Sequence, residues 1–340
     1  MERYILRIIK EDEKMEKKKL LKIGVVAFAI LSVIGILLVY QPYDDSFVMY
    51  NWIAKIVACV GISVLLVMFL KKFNDLIEFP TEIYRSKKLI GQLSVNDFKT
   101  KYAGSYLGII WAFVQPLVTI LVYWFVFGVG LRSGNVLDVP FVLWLVAGLV
   151  PWFFFSDAWN GGTGALIDYM YLVKKVVFQI DILPLVKVVS ALFVHGFFVI
   201  FTVALYICHG IWPDLYVLQI IYYSFCTFVL VLGLCYITSA IIGFFRDLSQ
   251  IINILLQVGV WMTPIMWNMD GMDLPGWVSA ALRLNPMFYV VTGYRDSFIN
   301  KVWFWEHPTQ TLYFWIVTLF ILGSGAVLFK KLKVHFADVL

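Results

Sequence analysis

Eight stretches of the chain stay predominantly apolar for roughly 20 residues at a time, the length a helix needs to cross about 30 Å of hydrocarbon. They run from Ile23 to Tyr40, Trp52 to Leu70, Leu107 to Gly130, Phe141 to Trp159, Val186 to Cys208, Val217 to Phe245, Ile251 to Trp267, and Leu312 to Phe329. A soluble core cannot absorb so many. Only 14% of the 340 residues are charged, against about 25% in a soluble globular domain. With 61% hydrophobic residues and a mean hydropathy of +0.85, disorder is excluded by the same arithmetic. The sequence predicts an all-α polytopic membrane protein of eight spans.

Orientation follows from Lys and Arg, which collect on the cytosolic side of short loops. Eight lie in residues 1–22, seven in 71–106 and three after Phe329, whereas Gln41 to Asn51 and His209 to Tyr216 carry none. Both termini are therefore expected in the cytosol. The first apolar run follows a basic segment, as a secretory signal would. It is long for such a signal and no A-x-A-like site follows, so it is read as a retained helix. The segment from Asn268 to Gln310 is placed outside despite Arg283, Arg295 and Lys301, and its apolar stretch WVSAALRLNPMFYVV can re-enter the membrane face where protein or water satisfies its backbone.

Two cytosolic stretches carry more pattern than a connection needs. Ser94 with Asp97 three residues on resembles a capping box. Val95, Phe98, Tyr102 and Tyr106 then recur on one face, while Asp97, Thr100 and Lys101 point away. This predicts an interfacial amphipathic helix, with Val95, Phe98, Lys101 and Tyr102 as its working residues; an ordinary solvated helix is the alternative. The second stretch, Ala165 to Leu185, is apolar but interrupted by Asp168, Lys174, Lys175 and Asp181 and closed by Pro184. It suits a short helix pressed against another protein at the membrane surface, or a plain connection.

The inventory of chemistry is thin. No G-x-x-x-x-G-K-[ST] loop is present, and Gly161-Gly162-Thr163-Gly164 lacks the lysine, so it is expected only to loosen the inner end of the fourth span. His195, His209, His307 and His335 show no ligand spacing, and no metal site is expected. His195 alone lies in a span, where a hydrogen bond to a neighbouring helix is its expected role. Cys59, Cys208, Cys226 and Cys235 sit in apolar runs and read as buried hydrophobes. The pairs Asp44 with Asp45 and Asp270 with Asp273 lie in turn-like surroundings. No nucleic-acid partner is indicated.

The span centres are almost free of charge, which argues against ion-coupled transport. No internal repeat is evident. Uncharged polar and aromatic residues instead recur four apart: Gln115, Thr119 and Tyr123 on the third span, and Asn253, Gln257 and Trp261 on the seventh. Trp144 and Trp152 flank Gly148 on the fourth. Amides and hydroxyls exchange hydrogen bonds with sugar hydroxyls, and flat aromatic faces accept the C–H face of a sugar ring. These eight residues are candidate channel-lining positions; helix-to-helix packing is the competing role.

From Asn96 onward the sequence resembles the membrane subunit of bacterial type-2 ABC exporters for polysaccharides, the group handling O-antigens, capsules and teichoic acids. The resemblance rests on NDFKTKYAGSYLGIIWAFVQPL (Asn96 to Leu117), PFVLWLVAGLVPWFFF (Pro140 to Phe155), LVKKVVFQIDILPL (Leu172 to Leu185), RDLSQIINILLQVGVWMTPIMW (Arg246 to Trp267), NPMFYVVTGYR (Asn285 to Arg295) and the ending FADVL. It implies a six-helix permease over 107–340, preceded by a linker and interface helix over 76–106. Residues 1–75, a basic tail and a transmembrane hairpin, are additional. It also implies a homodimer in the bacterial plasma membrane, working with two separate ATPase subunits that hold ATP and magnesium, so that this chain needs no cofactor. The coupling element would fall near 165–185, with Asp168, Lys174, Lys175, Phe178 and Asp181 facing the ATPase, and the external re-entrant region near 269–300. Where the family often has Pro-Arg after the coupling phenylalanine, this chain has Gln179 and Ile180.

The expected function is the permease of an ATP-driven exporter moving a lipid-linked polysaccharide or teichoic-acid-like polymer out of the cytosol. A membrane-embedded glycosyl- or acyltransferase is the competing class, and it lacks a convincing base, nucleophile or metal site in the sequence.

Overall fold

The computed structural model describes residues 83–131, 134–136, 139–174, 178–269, 272 and 274–339. The expected basic tail and hairpin of residues 1–75 fall outside the described residues, as does Lys175. Within them the chain is helical, with one isolated bridge between Val136 and Val139. Helix α1 (Lys87–Lys101), at the position of the expected interface helix, leads into α2 (Trp111–Tyr123), which continues as a wider turn of helix to Gly130. Next come α3 (Phe141–Thr163), the one-turn helices α4 (Ala165–Asp168) and α5 (Met170–Val173), then α6 (Leu183–Cys208), α7 (Gln219–Ile242) and α8 (Leu248–Met262). Two short helices follow, α9 (Gly276–Arg283) and α10 (Pro286–Arg295), before α11 (Pro308–Leu332).

Among the described residues, five helical stretches are long and apolar enough to cross a membrane: 108–130, 141–163, 180–208, 215–242 and 308–335. They answer five of the expected spans. The expected span from Ile251 to Trp267 corresponds to a shorter apolar helix. Its helix, α8, has 15 residues and so a length of about 22 Å, short of the hydrocarbon thickness. Pro264 explains the early stop, because a residue preceding proline avoids helical ψ, and Thr263 is extended at φ −89°, ψ 123°.

A helix that is apolar all round must be buried, and α3 is the case here. Its span is 78% buried, against 11% for the span containing α2. Helices α6, α7 and α10 pack around α3, while α11 packs on α7. Helix α2 and its continuation stand at the margin, exposing Val118, Leu121, Val122 and Phe125. The glycines at the end of α3, expected from the sequence to loosen it, do not. The helix runs unbroken through Thr163, and a Cβ on Gly162 would lie 2.2 Å from Cys235 Sγ, so the glycine admits α7 at close range.

The interface helix also differs from its expected form. It begins at Lys87, which puts Ser94 and Asp97 in mid-helix rather than at a cap. Its buried face is Ile90, Ser94 and Asp97, and Val95 is exposed. The inward face is thus partly polar, because α6 offers it polar partners: Ser94 Oγ donates to the Val186 carbonyl at 3.1 Å.

Candidate functional site

Three layers along the bundle bear on function. The first joins α1 to the segment after α3. Lys187, on the first turns of α6, reaches Asp97 at 2.7 Å and Asp168 at 2.8 Å, and its ammonium lies 5.2 Å from the centre of the Tyr169 ring. The Tyr169 hydroxyl donates to Asp97 Oδ1 at 2.9 Å. Burial, reinforced by the adjacent Asp97 carboxylate, raises the Tyr169 phenol well above its ordinary range, so it stays a donor. One lysine therefore ties the interface helix, the connecting segment and a span together.

Around this centre the same segment is fastened at two further points. Ser86, just before α1, donates to the Gln179 side chain, which gives the glutamine at the expected Pro-Arg position a definite contact. Asp181 pairs with Lys333 beyond α11, and its carbonyl accepts from the Tyr236 hydroxyl at 2.7 Å. Nearby, Lys101 at the end of α1 meets Asp157 of α3 at 2.5 Å. Burial lowers the Lys101 pKa, but the Asp157 carboxylate more than reverses this and holds it above the usual lysine value.

Of the expected coupling residues, Asp168 and Asp181 are thus engaged within the protomer, Phe178 is half-buried, and Lys174 is exposed. Tyr171, at 60% exposure, and Ile167 protrude beside them. Sequence reasoning missed both, since an isolated apolar residue in an apolar stretch carries no signal. It also missed Lys187, although a lysine inside an apolar run is a signal in itself, because a charge there needs a partner.

The second layer holds the expected channel-lining residues. Gln115 is exposed and Thr119 and Tyr123 are half-buried on α2; Asn253, Gln257 and Trp261 are all exposed along α8. Trp144 and Trp152 are placed differently. Both are buried, at 2% and 6% exposure, inside the packing of α3. The Trp152 indole fills the space over Gly259 of α8, so it is a helix contact rather than an open wall. His195 accepts a structural role: Nε2 lies 2.9 Å from Ser224 Oγ and 3.0 Å from the Tyr294 hydroxyl, with the ring stacked on Phe154.

The third layer is the end of the bundle expected to be external, where the pattern of charges was misleading. Arg295, expected as one of three loop cations, is only 7% exposed. Its Nη1 and Nη2 donate to the Pro264 and Ile265 carbonyls at 2.7 and 2.8 Å, and the guanidinium carbon lies 3.4 Å from the centre of a Trp144 ring. Those carbonyls belong to the non-helical turn that follows α8. Gly148 makes room for the guanidinium, since a Cβ there would meet Nη2 at 2.9 Å. Asn285 Nδ2 donates to Thr263 Oγ1 at 2.8 Å, while its Oδ1 caps α10 at the Met287 N–H. Asp296 is buried, accepts from Asn300 Nδ2 at 2.7 Å and faces His307 Nε2 at 3.5 Å.

Among the described residues no group of three or more His, Cys, Asp or Glu side chains is placed to hold a metal. The arrangement can transmit movement and present polar and aromatic surface.

Comparison with known proteins agrees in extent and order. The chain is 30% identical to the O-antigen export system permease protein RfbA of Myxococcus xanthus over 263 residues, covering 77% of this chain and 99% of that protein. It is 27% identical to the O-antigen export system permease protein RfbA of Klebsiella pneumoniae over 258 residues, covering 74% and 95% of the two chains. The polysialic acid transport protein KpsM of Escherichia coli is 22% identical over 212 residues, covering 62% and 81%. Residues 88–299, from α1 to just beyond α10, match the ABC-2 type transporter family, and the chain belongs to it.

Proposed function

We propose that this chain is the permease subunit of a polysaccharide exporter. The observation that carries the reading is its collinearity with an O-antigen export permease over nearly that protein's whole length. It is an integral membrane component, and the family to which it belongs implies a separate ATPase partner that supplies the nucleotide site.

The finer reading is ours. Two copies of the chain, oriented with α1 and both termini in the cytosol, work with two ATPase subunits that bind ATP and magnesium. The six-span core is completed by α8 as the shortest member. Force enters at the surface around Tyr171, Ile167 and Lys174, which project beside the segment held by Lys187. The Asp97–Lys187–Asp168 connection carries it to α1 and α6. A path for a lipid-linked glycan is lined by the exposed polar and aromatic stripe of α8 together with Gln115, Thr119 and Tyr123 of α2. The exposure of Asn253, Gln257 and Trp261 on a short helix supports that role, since polar side chains facing hydrocarbon are costly.

Deleting the partner ATPase, or this chain, is expected to strand lipid-linked polymer inside the cell. Extraction of the lipid-linked pool alongside surface-polymer staining reads both sides. Normal surface polymer after either deletion would overturn the assignment.

A further inference from the structure

A cavity of about 250 Å³ lies between α2, α3 and α6, apart from the exposed stripe of α8. Among the hydrogen-bonding side chains that line it are Gln115 and Thr119 from α2, Ser156, Asp157 and Asn160 from α3, and His195 from α6. Tyr102 and Trp111 stand at the end nearer α1, and Phe153 and Phe154 form part of its wall.

The lining restricts the occupant. Thr119, Ser156, Asp157 and His195 have partners within the protein, but lipid tails would leave the Gln115 and Asn160 amides unsatisfied in hydrocarbon, at several kcal/mol for each group. An anionic headgroup finds no free cation, because the lining contains no Lys or Arg and Lys101 beside it is engaged by Asp157. A single carboxylate is too few for a hard cation, which takes six or more oxygens. What remains is a neutral group rich in hydroxyls with an apolar face: amides, hydroxyls and one carboxylate exchange hydrogen bonds with it, and aromatic rings cover its C–H side. The volume is below the roughly 300 Å³ at which drug-sized pockets begin, so it suits one ring and not a chain segment.

We propose that this cavity is a binding subsite for a single neutral sugar ring, opening off the α2 wall of the path, to which Gln115 and Thr119 also belong. The inference rests on the export reading above.

The test uses the full chain with its ATPase in polymer-producing cells. Benzoylphenylalanine is placed at Val194 or Ser156, which line the cavity, and at Ile200, which is 72% exposed and does not. After irradiation, the purified chain is stained for periodate-reactive carbohydrate and assayed for phospholipid. Carbohydrate adducts are expected at positions 194 and 156 and not at 200. In parallel, Ala191→Phe fills the cavity and Asn160→Ala removes one of its amides. Each is expected to lower export about tenfold while the complex still assembles, tenfold being the effect of one good polar contact. Adducts of phospholipid alone, no adduct at either cavity position, or wild-type export by both variants would overturn the subsite. Surface polymer that does not depend on this chain at all would instead overturn the export reading, and the unsubstituted control distinguishes the two failures.

Discussion

The Asp97 carboxylate of α1 and the Lys187 ammonium of α6 pair at 2.7 Å, with side-chain exposures of only 7% and 14%. Because Lys187 also holds Asp168, its removal leaves two carboxylates facing each other, one of them buried. Breaking a buried pair from one side costs about 3–5 kcal/mol, whereas an exposed pair contributes about 0–1. Lys187→Met is therefore expected to lower thermal stability of the purified complex sharply and to reduce polymer exported per ATP hydrolysed. Lys101→Met, which breaks a pair exposed at 40% and 37%, is expected to do little to stability. A double-mutant cycle with Asp97→Asn should recover part of the Lys187→Met loss. Equal effects from the two lysine variants would show that burial does not set the strength of these links.

At the end of the bundle expected to be external, Arg295 supplies partners to the Pro264 and Ile265 carbonyls of the turn after α8. Hydrogen bonds to a charged group contribute about 1.5–3 kcal/mol each. Arg295→Gln is expected to lose both carbonyl contacts and the stack on Trp144, and Arg295→Lys to retain charge without the two-pronged geometry. Gly148→Ala should mimic the defect without touching the arginine, by pushing its Nη2 aside. The measurement is deuterium exchange over residues 263–300, where all three variants should lose protection. Protection unchanged in Arg295→Lys would mean that charge alone, without the fork, holds the turn.

Membrane residence, helical class and five span positions were legible in the sequence because apolar length is a local signal, written in consecutive residues. The partners of charged side chains were not. Arg295 looks like a loop cation beside Arg283 and Lys301, and only the return of the chain to α3 shows that it is buried against Trp144. The interface helix was found, but its inner face was assigned by hydrophobicity, and the polar partners on α6 reverse that choice for Ser94 and Asp97. Trp144 and Trp152 show the same limit from the other side, since an aromatic stripe reads alike whether it meets a path or a neighbouring helix.

The pair of His307 with Asp296 makes the external end sensitive to pH. The hydrogen bond to Asp296 raises the His307 pKa above its ordinary 6.5, against a smaller opposing effect of burial. The pair's contribution is therefore fully present below pH 6.5 and is lost as pH rises through the folded value. Thermal stability of the wild type relative to His307→Gln is expected to be greatest near pH 6 and to shrink toward alkaline pH. His307 is partly exposed, so the change is expected to be small. A difference between the two proteins that grows with pH would reverse the sign and exclude the pair as its source.

The aromatic residues separate by burial, and their variants should separate with them. Trp144 is 2% exposed under a guanidinium, and Trp→Ala at such a position costs about 3–5 kcal/mol. Trp144→Ala is thus expected to reduce the amount of assembled complex and its unfolding temperature, with export falling in proportion to the protein that remains. Trp261 is 54% exposed on α8 and Tyr123 half-buried on α2, so their alanine variants leave less of the core unfilled. For Trp261→Ala and Tyr123→Ala, export per assembled complex should fall while stability stays close to wild type. The ratio of surface polymer to complex in the membrane distinguishes the two classes. A Trp261→Ala complex that exports at the full rate would return α8 to a packing role and leave Gln115, Thr119 and the cavity beside them as the glycan's contacts.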